Sequence, residues 1–136
     1  MRSAYLITPF LAWLFTGVIK FVINSIKGNK LAFEKIGYGG MPSNHTAIVS
    51  SIACLIAVKD GIEHPAFGVA IALVFVVVLD AISLRRQIGY HARELNKLTS
   101  HRLDRKLRTK LGHTPMEVIA GIASGVTVGV IVGRFV

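Results

Sequence analysis

The stretch HTPMEVIAGIASGVTVGVIVG, residues 113–133, decides the fold. After Glu117 it carries no charge, and a helix over 114–132 rises far enough to cross most of a hydrocarbon core of roughly 30 Å. Gly121, Gly125, Gly129 and Gly133 recur every four residues and so share one side of that helix. In lipid, where packing joins helices, such a small-xxx-small stripe lets a second backbone come close, inside one chain or between copies in a homo-oligomer.

Three further apolar segments precede this one. Residues 4–26 are long enough to span, and no small-residue cleavage site interrupts them, so they read as a retained helix rather than a signal peptide. Residues 46–58 are short for a crossing, and their N-terminus needs shielding by protein if it lies below the lipid surface. Residues 65–84 are β-branched enough to suggest a strand, but an apolar run of this length reads as a spanning helix ended by Arg85 and Arg86. Residues 91–110 are basic, with leucines at near-helical spacing, and read as an amphipathic helix on the membrane surface. The expected fold is all-α: a polytopic membrane helix bundle of about four membrane-embedded helices plus a basic interfacial helix, in one domain over 1–136.

Composition agrees. With 52% hydrophobic residues and a mean hydropathy of +0.58, a chain of 136 residues has more apolar surface than a soluble domain of that size can bury. The net charge of +9 raises nucleic acid as a partner. However, the cations lie almost wholly between the apolar segments, which favours anionic lipid and argues against nucleic acid. The single cysteine, Cys54, excludes an intrachain disulfide.

Four crossings put the 27–40 loop and the 85–113 region on one side. With Lys20 toward that end of the first segment, thirteen of the sixteen Lys and Arg residues fall on that side, leaving Arg2, Lys59 and Arg134 opposite. The positive-inside rule turns the loaded side to the cytoplasm, in a bacterial inner membrane for a bacterial chain.

Chemically distinctive residues gather on that side. Pro42-Ser43-Asn44-His45 leads into the second apolar segment, and a helix N-terminus there suits a bound anion. Alone, the motif reads more simply as a capping serine beside an interfacial histidine. His113 and Glu117 are four apart on one helical face, so the carboxylate can fix the imidazole tautomer; an interfacial ion pair is an equal reading. Lys20 and Asp80 are charges inside apolar segments and so candidates for function. Arg85 and Arg86 are first of all topological anchors. No metal-ligand spacing stands out, and no cofactor is implied.

Taken in order, Gly39-Gly40-Met41-Pro42-Ser43-Asn44-His45-Thr46-Ala47, Asp80-Ala81 with Arg85-Arg86, and Leu111-Gly112-His113-Thr114-Pro115-Met116-Glu117-Val118-Ile119-Ala120-Gly121 resemble the phosphatidic acid phosphatase type 2 superfamily, and more closely its short divergent branch. The superfamily's first block, Lys, six residues, Arg-Pro, is met by Lys20 and Lys27, with Lys-Gly for Arg-Pro. Its second, Pro-Ser-Gly-His, is met by Pro42, Ser43 and His45, with Asn44 for glycine. Its third, Ser-Arg, five residues, His, three residues, Asp, is met by His113 and Glu117, with Glu for Asp and with Arg85 or Arg86 set apart by the basic insertion. Pairing Arg85 with His91 keeps the five-residue spacing but finds Leu95 where a carboxylate belongs.

The resemblance implies a metal-independent membrane phosphatase acting on a lipid phosphate or polyprenyl (di)phosphate. His113 would form a phosphohistidine, Glu117 would orient its ring, and His45 would serve as acid and then base. Lys20, Lys27, Ser43, Asn44 and Arg85 or Arg86 would hold the phosphoryl oxygens, with Asp80 in support. The substitutions in all three blocks leave open a lipid-phosphate-binding or transfer protein without turnover, and the glycine stripe alone suggests an oligomeric scaffold.

Overall fold

The computed structural model describes residues 3–26, 40–99 and 106–136. These form α1 (Ser3–Ile26), α2 (Asn44–Lys59), α3 (Pro65–Leu79), a π-helical turn (Asp80–Leu84), α4 (Arg85–Leu98) and α5 (Pro115–Phe135), with no strand among the described residues. Helices over 3–26, 65–98 and 115–135 are long and apolar enough to cross a membrane, and α2 is a shorter apolar helix. The expected all-α membrane bundle is therefore what the chain forms.

α2 is the centre: it packs on α5, α1 and α3, and its buried residues, Thr46, Ala47, Ser50, Ser51, Ala53, Leu55 and Ile56, point in all directions. α5 lies against it in parallel. A Cβ on Gly121 would strike Thr46 and Ser43, one on Gly125 the backbone of Ala47, one on Gly129 would come 2.6 Å from the Ser51 carbonyl, and one on Gly133 2.8 Å from Val58. The stripe thus meets α2 of the same chain along its whole length. Contacts between copies through that face would have to displace α2.

α1 contributes its own stripe, overlooked in the sequence. Ala4, Thr8, Ala12, Thr16 and Lys20 are its buried residues, again every four positions. The threonines hide their hydroxyls by donating to Ala4 and Ala12 carbonyls one turn back, at 2.7 and 2.9 Å. At the end of α1 away from Lys20, the Tyr5 hydroxyl donates to Asp60 at 2.6 Å, tying α1 to the end of α2. α3 buries only Ala70 and exposes Val69, Ile71, Leu73, Phe75 and Val76, an apolar face suited to lipid.

Two expectations are corrected. Arg85 and Arg86 do not end the third helix, which runs through the π-turn into α4 and stops at Leu98. Hydropathy marks where lipid would end; Arg, Gln, Glu and Leu all favour helix, so the backbone continues past it. The amphipathic basic helix exists, but as that continuation; residues 106–114 are not helical, and 100–105 lie outside the described residues. Gly39 and Lys27 lie outside them as well.

Candidate active site

Four element ends meet at one end of the bundle: the last turns of α1, the starts of α2 and α5, and the π-turn. The parallel starts of α2 and α5 are joined directly, the Ser43 amide donating to the Glu117 carbonyl at 2.9 Å. The π-turn supplies the next link. A widened turn tilts carbonyls away from the helix axis, and that of Ala81 accepts the His113 amide at 2.9 Å. Gly112, at φ +85°, makes the bend just before His113, where a Cβ would come within 3.0 Å of the Ala81 carbonyl and the Arg86 amide.

His113 is buried, 8% exposed, with Nδ1 3.1 Å from Glu117 Oε2. The same carboxylate oxygen accepts the Thr114 amide at 3.0 Å, and Thr114 Oγ1 accepts the Glu117 amide, closing a capping box at the start of α5. Glu117 is therefore fixed by the helix start before it orients anything. Because a carboxylate only accepts, Nδ1 carries the proton, which in the neutral ring leaves the lone pair on Nε2.

His113 lines a cavity of about 370 Å³ together with Lys20, Asn44, His45, Arg85, Arg108 and Lys110, with Trp13 and Ile48 as apolar wall. Lys20 is 6% exposed, six residues short of the end of α1, and lies in the field of Glu117. His45 is exposed, in the first turn of α2, and lies in the fields of Arg85, His113, Lys20 and Asp80.

The structure separates the two arginines. In an α-helix residues five apart diverge, but across a π-turn they face the same way. Asp80 accordingly pairs with Arg85 Nε, and Arg85 enters the cavity. Arg86 instead packs its stem on Gly112 and does not line the cavity. His91 is exposed on α4 and also lies outside it.

Ser43 departs from the capping role expected of it. It holds the N-cap position, yet its hydroxyl makes no cap bond; it is fully buried, and Ser43 Oγ and Asn44 Oδ1 find no hydrogen-bond partner among the described residues. Of the residues named from sequence, Lys20, Asn44, His45, Arg85 and His113 line the cavity, with Glu117 and Asp80 behind His113 and Arg85. In the sequence, Trp13 and Ile48 read only as apolar helix, and Arg108 and Lys110 only as part of the basic surface helix. Their nearness in sequence to Leu111-Gly112-His113 was the one signal for the two cations.

No solved structure matches the chain. The uncharacterized membrane protein YuiD of Bacillus subtilis (strain 168) is 28% identical over 148 residues, covering 96% of this chain and 94% of that protein. The family model described as the divergent PAP2 family matches residues 1–128. With nearly the whole chain covered, and the ordered motifs drawn together at one end of a helical membrane bundle, this protein belongs to the divergent PAP2 family.

Proposed function

We propose that the protein is an integral membrane phosphatase that hydrolyses a lipid phosphate or polyprenyl (di)phosphate through a phosphohistidine. The observation that carries this reading is the buried His113, its Nδ1 held by Glu117 and its ring on a cavity shared with His45 and four cations. Nε2 attacks phosphorus, a P–N bond forms, and the P–O bond to the lipid breaks. His45 donates a proton to the leaving oxygen. Water then attacks the phosphohistidine while His45 takes its proton, the P–N bond breaks, and orthophosphate is released. Lys20 and Arg85 balance the charge on the phosphoryl oxygens, while Ser43, fully buried and outside the cavity lining, joins the α2 and α5 starts through its backbone amide.

Phosphate release by purified protein in detergent, measured across lipid mono- and diphosphates, tests the reading. Release from at least one is expected; release from none, with headgroup binding retained, would favour the binding or transfer protein instead. Arg85→Ala is expected to raise KM about tenfold more than Arg86→Ala does, as loss of one charge-assisted hydrogen bond would. The reverse order would reassign the phosphate contact.

The site also carries a proposal of sidedness: the topology read from the sequence assigns thirteen of sixteen cations to its side, and the positive-inside rule then turns it to the cytoplasm. In a Cys54→Ser background, Lys106→Cys should resist an impermeant maleimide in intact cells and react once they are permeabilised. Labelling in intact cells would turn the site outward.

A further inference from the structure

Residues 106–112 lead into His113, and their first five, 106–110, lie outside every motif quoted for the family; the segment is well fastened for a stretch without secondary structure. Asn96 of α4 clamps it with both ends of its amide: Nδ2 donates to the Leu107 carbonyl and Oδ1 accepts the Leu107 amide, each at 2.7 Å. One turn or two nearer the site, the missing side chain of Gly89 admits the Thr109 carbonyl, which a Cβ there would approach to 2.6 Å. Nearer still, Gly112 sits on Arg86 and Ala81, and the His113 amide is bonded to Ala81. The segment therefore runs back along α4 from Asn96 to the nucleophile, fastened at 107, 109, 112 and 113.

Arg108 and Lys110 stand between and beside these fastened points, and both line the cavity. A chain of fixed points thus carries two cations over the same space that holds His113, Lys20 and Arg85. Among the described residues the lining includes no carboxylate, Asp80 and Glu117 standing behind Arg85 and His113.

We propose that residues 106–112 are a phosphate-binding strap: Lys110 and Arg108 are anion ligands of the site, and Asn96 is the positioning residue that latches them in place. The proposal rests on the reading of the cavity as a phosphate site but not on turnover there. It adds ligands outside the family's motif blocks and gives the basic insertion a role in binding beyond topology.

Equilibrium binding of inorganic phosphate to the intact protein in detergent, by calorimetry, tests it separately from hydrolysis. Lys110→Met is expected to weaken binding about tenfold and to flatten its dependence on ionic strength, while Lys110→Arg keeps most of both. Asn96→Ala, which removes no charge, should weaken binding in the same direction. Its effect should shrink to about twofold or less when Lys110 and Arg108 are already Met, because the latch then has nothing to position. Additive losses in that cycle would make Asn96 merely structural and overturn the latch. Binding unchanged in Lys110→Met and Arg108→Met, or no phosphate binding by the wild type, would overturn the strap. Lys110-dependent binding without turnover of any lipid phosphate would sustain the strap while refuting the phosphatase reading.

Discussion

Replacing His113 by alanine is expected to abolish phosphate release, by at least about a thousandfold in kcat, the scale on which removal of a covalent nucleophile is felt. Folding should survive, because what holds the α5 start together is the capping box of Thr114 and Glu117 and the Ser43–Glu117 backbone bond, none of which uses the imidazole. Glu117→Gln separates orientation from nucleophilicity. Glutamine also closes a capping box, and its amide oxygen can still accept from Nδ1, so the local fold and tautomer persist while the charge is lost. A fall of roughly 10- to 100-fold in kcat is expected, in keeping with other groups that orient a reactive histidine. Thermal unfolding of each variant in detergent, run beside the rate assay, checks that the loss is chemical. Equal phosphate release by wild type and His113→Ala would remove the histidine from the reaction.

Gly125→Leu is expected to have the largest structural effect. The Cβ alone would overlap the Ala47 carbonyl group and Cα, which belong to the backbone of the central helix and cannot swing aside. Overpacking of this kind costs about 1–3 kcal/mol in well-packed cores, and more where backbone must move. Here the displaced surface joins α2 to α5, and those two helices carry His45 and His113. Loss of monodisperse protein, or a marked drop in melting temperature, is therefore expected together with loss of phosphate binding. Gly68, with open space where its Cβ would stand, is the control: Gly68→Ala should fold like the wild type. A Gly125→Leu protein as stable as Gly68→Ala would contradict the close packing of α2 on α5.

The contrast between these two glycines shows what the sequence could convey. A period of four in residues 121–133 announces that some backbone comes near, and lipid-like composition announces the setting; neither names the partner, which is α2. Likewise, His113 and Glu117 were legible as a pair from their spacing of four, and the structure has them 3.1 Å apart, although His113 precedes the N-cap and the capping box rather than a shared helical face turns the carboxylate back to it. Arg85 and Arg86 could not be told apart on the same basis. The choice depends on a π-turn at 80–84, whose five-residue register has no signature in composition. The strap was hidden for a related reason: leucines at 95, 98, 103, 107 and 111 suggest one amphipathic helix, whereas the helix stops at Leu98 and Leu107 pairs with Asn96 through its backbone. Lys20 was conspicuous as a charge in an apolar helix, but its direction followed from small residues at 4, 8, 12 and 16 that turn its side of α1 inward.

The most direct measurement is to capture the covalent intermediate. Purified protein in detergent, mixed with a turned-over lipid phosphate and quenched within milliseconds in alkali, where phosphohistidine survives, would be digested and mapped by mass spectrometry. Phosphoryl attached to His113, and absent in His113→Ala, is the predicted result. Phosphate release with no phosphoryl on His113, or with the label on another residue, would contradict the assignment of His113 as nucleophile.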